Sequence, residues 1–168
     1  MTGGAPTSVT TNGTRAAVAA DPREMVERVH RLAAAYDLRG QADLYAPDGV
    51  LEWPFAPAGV PHRIEGRERI REVLASLEAA VRGAGTRVTA VRTTAVHQTP
   101  DPEVVIVELE VAGELATTGT TYQLPYIQVF RIRDGQILLF RDYFGPGTAA
   151  ALEAGFAATG GTERLHRA

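Results

Sequence analysis

Tyr126-Ile127-Gln128-Val129-Phe130-Arg131-Ile132-Arg133-Asp134-Gly135-Gln136-Ile137-Leu138-Leu139-Phe140-Arg141-Asp142-Tyr143-Phe144-Gly145-Pro146 reads as two strands around a tight turn. Asp134-Gly135 supplies the turn, because both residue types accept the positive φ of a two-residue hairpin. The arms are rich in β-branched and aromatic residues, which suit a packed, pleated surface. The first arm is apolar on both faces: Ile127 and Val129 alternate with Phe130 and Ile132. Helices cover only one side of such a strand. A second copy of the chain is the simplest cover for the other, which predicts a homodimer through the sheet. On the second arm, Leu138, Phe140 and Phe144 share a face with Asp142, so that carboxylate is expected to point into the apolar interior.

Upstream, the period of two persists back to Gly85. Thr86–Thr99 and Glu103–Ala116 are long strand candidates, followed by Thr120–Arg133 and Gln136–Phe144. Before Gly85 the period is helical. Asp21-Pro22 is a strong helix start, an acidic N-cap followed by proline at the first helical position. Met25, Val29, Leu32 and Tyr36 then form one face, and Gly40 ends the segment. A short helical stretch, Gln41–Tyr45, is expected next, then a turn at Ala46-Pro47-Asp48-Gly49. Val50–Phe55 reads as a strand stopped by Pro54, and Pro54–Gly66 as a loop, a candidate lid. A second helix is predicted over Arg67–Arg82, with Ile70, Val73, Leu74, Leu77 and Val81 as its apolar face. A short alanine-rich helix, about Thr148–Phe156, closes the chain. Helices followed by a long meander predict an α+β domain. The expected organisation is a tail over residues 1–20, one domain over 21–156 and a second tail over 157–168.

Composition excludes several chemistries. The 168 residues contain no Cys, which removes thiol nucleophiles, disulfides and thiolate metal sites. All 17 basic residues are Arg, so no lysine Schiff base is available. The serines are Ser8, in the tail, and Ser76, in a plain amphipathic helix, and no G-x-S-x-G elbow exists. The net charge of −3, without a basic stripe, argues against nucleic acid as a partner. No apolar run approaches the roughly 18 residues of a membrane helix. The opening residues lack a basic start and apolar block, so no secretory signal and no membrane partner are expected, and the protein is read as cytoplasmic. No histidine pair has metal spacing and no glycine-rich phosphate loop follows a strand, so neither metal nor cofactor is expected. Carboxylates, histidines, tyrosines, Trp53 and arginines remain, which points to acid–base or electrostatic catalysis.

Three segments together resemble one superfamily, the nuclear transport factor 2-like, SnoaL-like proteins. They are Leu44-Tyr-Ala-Pro-Asp-Gly-Val-Leu-Glu-Trp-Pro54, Arg63-Ile-Glu-Gly-Arg-Glu-Arg-Ile-Arg-Glu-Val-Leu74 and the closing hairpin. The resemblance covers roughly Pro22–Gly155. It implies a cone-shaped, strongly curved, mostly antiparallel sheet, with the N-terminal helices on its concave face enclosing a pocket. Related proteins include ketosteroid isomerases, polyketide cyclases, limonene epoxide hydrolases, scytalone-type dehydratases and phenazine-biosynthesis A/B proteins. Trp53 stands where the isomerase carries its base, and Val29 and about Gln128 where it carries its oxyanion partners. Asp142 matches an acid of the epoxide hydrolase, and the phenazine-type proteins also carry an acid there. The hydrolase's Arg–Asp strand pair falls at Glu108 and Glu110, with the arginine replaced.

The resemblance makes Asp142 the leading candidate for catalysis, with Glu110 as a possible partner. Glu108 and Glu110 alternate with apolar residues, so pattern alone reads them as solvated acids on an open face. The alignment points them inward instead. Trp53, Phe55 and Tyr126 are expected to line a pocket, Gln128 to orient a ligand oxygen, and His62 to act from the lid. The function that follows is a cofactor-independent isomerase, cyclase, dehydratase or hydrolase acting on a hydrophobic small metabolite, as in polyketide tailoring. The alternative is a non-catalytic ligand-binding or dimerisation module of the same fold.

Overall fold

The computed structural model describes residues 21–158. The tail expected over residues 1–20 lies outside the described residues, as does the one expected over 157–168 apart from residues 157 and 158, which end the closing helix. Helix α1 (Pro22–Ala34) begins where the sequence placed it, with the Asp21 carboxylate accepting the Arg23 N–H at 2.9 Å. Its buried residues are Met25, Val26, Val29 and His30. The helix stops earlier than Gly40. Tyr36 takes a positive φ of 55°, and its hydroxyl donates to the Thr86 carbonyl at 2.7 Å while accepting the Val88 N–H. The ring is thereby tied to the sheet instead of continuing the helical face. A short helix α2 (Leu38–Gln41) and one 3₁₀ turn (Ala42–Leu44) lead into the sheet.

The sheet contains β1 (Tyr45–Glu52), β2 (Arg63–Glu65), β3 (Thr86–Gln98), β4 (Val104–Leu115), β5 (Thr120–Arg133) and β6 (Gln136–Phe144), in the order β2-β1-β6-β5-β4-β3. Neighbours are antiparallel except β1 and β6, which run parallel. Helix α3 (Arg67–Gly83) buries Ile70, Val73 and Leu74, and α4 (Pro146–Ala158) follows β6. The result is the expected α+β architecture, a curved and mostly antiparallel sheet with its long helices packed on one side.

Two local expectations are corrected. Ala46–Gly49 is not a turn before the strand but a bulge within β1. Tyr45 pairs with Ile137 and Val50 with Leu139, so β1 uses five residues where β6 uses two. Gly49 is required there, because a Cβ would sit 2.8 Å from the Ile137 carbonyl oxygen. The Pro54–Gly66 segment is not one open loop. The Trp53 N–H donates to the His62 carbonyl at 2.9 Å, and β2 then pairs along β1.

The closing hairpin turns at Asp134 (φ 50°) and Gly135 (φ 70°). Its register puts Phe130 opposite Phe140, with rings stacked 4.3 Å apart, and Gln128 opposite Asp142. Phe130, Ile137 and Val107 are fully buried, and they anchor the core beneath α1 and α3.

Candidate active site

The curvature of the sheet leaves space between its inner face and the helices. That space is a cavity of about 470 Å³, within the range typical of small-molecule sites. Its wall is mostly apolar: Leu51 from β1 and Trp53 just after it, Leu109 and Val111 from β4, Phe140 and Phe144 from β6, with Leu74 and Leu77 from α3. The polar groups are few, and β5 and β6 bring most of them together.

Asp142 lies in this wall. Its carboxylate oxygen Oδ1 accepts a hydrogen bond from Gln128 Nε2 at 3.1 Å, across the hairpin. Burial pushes the Asp142 carboxyl up to about 7, and the Gln128 hydrogen bond only partly opposes this. The group therefore exchanges its proton near neutrality, the range where one carboxyl can serve as both acid and base.

Gln128 is itself buried and forms the middle of a chain. With its amide N–H given to Asp142, its carbonyl Oε1 faces His30 Nε2 at 2.9 Å. His30 must then carry its hydrogen on Nε2, which leaves Nδ1 to accept from the Thr93 hydroxyl at 3.4 Å. Burial depresses the His30 pKa below its usual value; the Gln128 hydrogen bond and Glu27 only partly offset it. A neutral imidazole fits this single-donor role. The chain Thr93–His30–Gln128–Asp142 thus crosses from β3 through α1 to β5 and β6, and it satisfies polar groups that would be costly to bury alone.

Four tyrosines line the same cavity: Tyr36, Tyr45, Tyr122 and Tyr126. Tyr126 exchanges a hydrogen bond with Thr148 of α4 at 2.9 Å, and burial pushes it up to about 12. Tyr45 is fully buried, and its hydroxyl has no hydrogen-bond partner among the described residues.

A family model for the SnoaL-like domain matches residues 26–140. The chain belongs to the SnoaL-like family. It is 39% identical over 124 residues to an uncharacterized PhzA/B-like protein of Pseudomonas aeruginosa, covering 74% of this chain and 84% of the relative. Among solved structures it resembles a Bacillus subtilis protein provisionally named an isomerase. That match has a TM-score of 0.66 and 27% identity, and covers 79% of this chain and 92% of the other. It also shares its fold with SalBIII, an epoxide hydrolase/cyclase-like enzyme of pyran ring formation in salinomycin. There the TM-score is 0.55 at 20% identity, covering 74% and 91% of the two chains.

Within this SnoaL-like cavity the structure gathers four of the residues singled out in the sequence: Asp142, Gln128, Trp53 and Tyr126. The other four lie elsewhere. Glu110 is on the outer face of the sheet, paired with Arg92 and accepting from Gln123 Nε2 at 2.7 Å. Glu108 is exposed on that same face, 2.8 Å from His97 Nε2. The reason is the period of the strand. Val107 and Leu109 are buried on the inner face, so the residues between and beyond them must point outward. The inward alignment of both acids is therefore corrected. Phe55 is 64% exposed, because Pro54 turns the chain away after Trp53; its ring meets Tyr143 edge-on at 5.4 Å. His62 is exposed beside β2 and takes part in the β1–loop closure through its backbone carbonyl.

Sequence reasoning did not select Tyr45 or Thr93 for the site, and it let His30, flanked by Val26 and Ala33 on α1, reach the pocket edge without assigning it a role. For His30 a signal existed: it follows Val29 and stands four residues after Val26, on the buried stripe of α1. For Tyr45 there was none, because its orientation depends on the bulge.

Proposed function

We propose that this SnoaL-like protein is a cofactor-independent acid–base enzyme acting on a hydrophobic small molecule, with Asp142 as the group that moves the proton. The observation that carries the proposal is a carboxyl raised to about 7 in the wall of an apolar cavity. In the ionised form Asp142 removes a proton from a ligand atom; the neutral carboxyl returns it at another position or to a leaving oxygen. That sequence suits isomerisation, cyclisation or dehydration. Opening of an epoxide is less favoured, since no arginine lines the cavity among the described residues to polarise the ring oxygen. Gln128 holds the carboxylate in place, and Trp53 and Tyr126 shape the space around the ligand. A polyketide or similar biosynthetic intermediate, handled in the cytoplasm during antibiotic or other secondary metabolism, is the substrate class that fits.

Asp142→Asn keeps the shape and removes the proton exchange. Turnover of a substrate identified from the neighbouring genes should fall by about 10²-fold or more. Near-normal turnover in that variant would remove Asp142 from the chemistry, and ligand binding with no turnover by the parent protein would make it a binding module.

The same proposal includes a homodimer. The outer face presents Ile127, 49% exposed, near Phe55 and Tyr143, and salt-bridged pairs flank this apolar strip. A second copy seated across the sheet would cover it. Light scattering at micromolar concentration should give twice the monomer mass; a monomer would overturn this part.

A further inference from the structure

We propose that His30 is a positioning residue: its Nε2–H fixes which way round the Gln128 amide sits, and this leaves Oδ2 as the Asp142 oxygen that takes a proton from the ligand and returns it. The proposal rests on the reading of Asp142 as the group that moves the proton, and adds a residue to it.

An amide held between two groups has a direction. Gln128 Nε2 donates to Asp142 Oδ1 at 3.1 Å, and Gln128 Oε1 faces His30 Nε2 at 2.9 Å. If the amide turned over, Oε1 would face Asp142 and the NH2 group would face His30. An ionised Asp142 forbids this, because a carboxylate only accepts. A neutral Asp142 permits it, since its O–H could donate to Oε1. The proton would then lie on Oδ1, between protein groups and away from the ligand. With the amide as it stands, Oδ1 is taken by the Gln128 donor and the proton belongs on Oδ2. Oδ2 carries no hydrogen bond among the described residues, yet the Tyr45 hydroxyl is the one sealed, unpartnered side-chain polar atom there. Oδ2 is therefore open, and the space that Asp142 lines is the cavity.

The His30 ring decides the direction. Turning the amide demands a bare Nε2 and moves the ring hydrogen to Nδ1. The partner at Nδ1 is the Thr93 hydroxyl at 3.4 Å, against 2.9 Å for the contact at Nε2. A nitrogen lone pair tolerates so long a contact. An N–H there would be a poorly satisfied buried donor, which folded proteins avoid more strictly than a weakly served acceptor. The hydrogen stays on Nε2, where the contact is short. Burial also favours the neutral ring, so Nδ1 is not given a second hydrogen near neutrality. The other buried residues of α1 are Met25, Val26 and Val29, so an apolar side chain in place of His30 would suit the packing but would leave the amide free to turn.

The surrounding titratable groups do not set this direction. On α1 itself Glu27 is the charge nearest His30, and it is exposed. Tyr45 of β1 and Tyr126 of β5 feel the charge of Asp142, but burial raises both above their usual 10, so they stay neutral while Asp142 titrates. From β3, Arg92 beside Thr93 is paired with Glu110 on the outer face. The cavity-lining residues of α3 are Leu74, Leu77 and Val81, all apolar.

Heteronuclear NMR of the isotope-labelled full-length protein tests this without a ligand. The Asp142 carboxyl resonance is identified by its loss in Asp142→Asn. In the parent, the neutral His30 ring should carry its hydrogen on Nε2 at pH 6 and at pH 9, on both sides of the Asp142 titration. In His30→Leu the amide can turn once Asp142 is neutral, which stabilises the protonated form. The Asp142 midpoint should rise by about one pH unit, a tenfold gain in proton affinity and the increment of one ordinary hydrogen bond. In a Gln128→Leu background the same His30→Leu change should leave the midpoint in place, because no amide remains to be oriented. A neutral ring with its hydrogen on Nδ1 at either pH, a midpoint unmoved or lowered by His30→Leu, or an equal rise in the Gln128→Leu background would each overturn the proposal. The tautomer is read in the parent alone, so it decides the matter even where a variant does not fold. Turnover that survives Asp142→Asn would instead remove the catalytic reading, and would leave these titrations as they are.

Discussion

The two faces of strands β4 to β6 carry the same residue types to opposite ends. On the outer face each acid meets a cationic or ionisable partner: Glu110 with Arg92, Glu114 with Arg87 at 2.6 Å, and Glu108 with His97. Glu52, at the sheet's other end, lies between Arg63 and Arg141. Burial would raise it, yet the hydrogen bonds from Arg141 and Arg63 hold it below the usual carboxylate value. On the inner face Asp142 has one neutral amide for a partner and rises to about 7. A carboxylate is thus structural or reactive according to the side of the sheet it occupies, and the alternation of the strand decides the side.

The largest test of this contrast is the pH dependence of stability. Folded Asp142 keeps its proton up to about pH 7, whereas in the unfolded chain it is released near 3.8. Between those values the folded state binds more protons than the unfolded one. The stability tied to the neutral carboxyl is therefore complete below 3.8 and is lost as pH rises through 7. Urea unfolding between pH 4 and 8 should show the parent losing up to about 4 kcal/mol relative to Asp142→Asn over that window. Parallel curves would mean that Asp142 is not isolated from water.

The next largest effect should come from the amide that joins the inner network. Gln128→Leu leaves the His30 Nε2–H and the Asp142 carboxylate unpartnered in an apolar setting. It should cost about 3 kcal/mol by the same unfolding measurement. It also removes the one hydrogen bond that lowers Asp142, so the pH profile of turnover should shift upward. An unshifted profile would disconnect Gln128 from the acid.

The inner face also depends on close fit. A Cβ on Gly113 would lie 2.2 Å from the Tyr122 hydroxyl and 2.5 Å from the Arg87 carbonyl oxygen, both too near to accept. Tyr122 lines the cavity, so Gly113→Ala should cost about 2 kcal/mol and weaken ligand binding together. Full stability in that variant would mean the ring has room to move. The smallest effect belongs to the outer face. Glu110→Gln breaks an ion pair whose arginine is 65% exposed, and it should change stability by less than about 1 kcal/mol without affecting turnover. A rate loss like that of Asp142→Asn would return Glu110 to the mechanism.

Much of the fold was readable because its signals are local. The hairpin turn, the helix starts at Pro22 and Arg67 and the four long strands follow from residues within a few positions of one another. The inward direction of Asp142 came from the same source, a run of alternating apolar neighbours. The errors arose where a non-local contact overrode the local pattern. Pairing with β6 drew Ala46–Gly49 into β1 as a bulge, pairing with β1 made a strand of Arg63–Glu65, and backbone contacts with β3 ended the Tyr36 face early.

For Glu108 and Glu110 the local alternation was the better guide, and the alignment to distant relatives pointed the wrong way. Phe55 failed for a related reason. Two residues after Trp53 it belongs by period to the same face, but Pro54 ends the strand and the period with it.

By itself the sequence determined the fold class, the chemistries that are ruled out, and one acid on an inward face, because composition and short-range periodicity fix those. The tertiary structure alone decided that Asp142 meets Gln128 and, through it, joins His30, which lie 14 and 112 residues away along the chain, and that Tyr45 shares their cavity. Those relations depend on strand register, on one bulge and on the packing of α1 over the sheet. Each is set by contacts between distant segments, which no local pattern encodes.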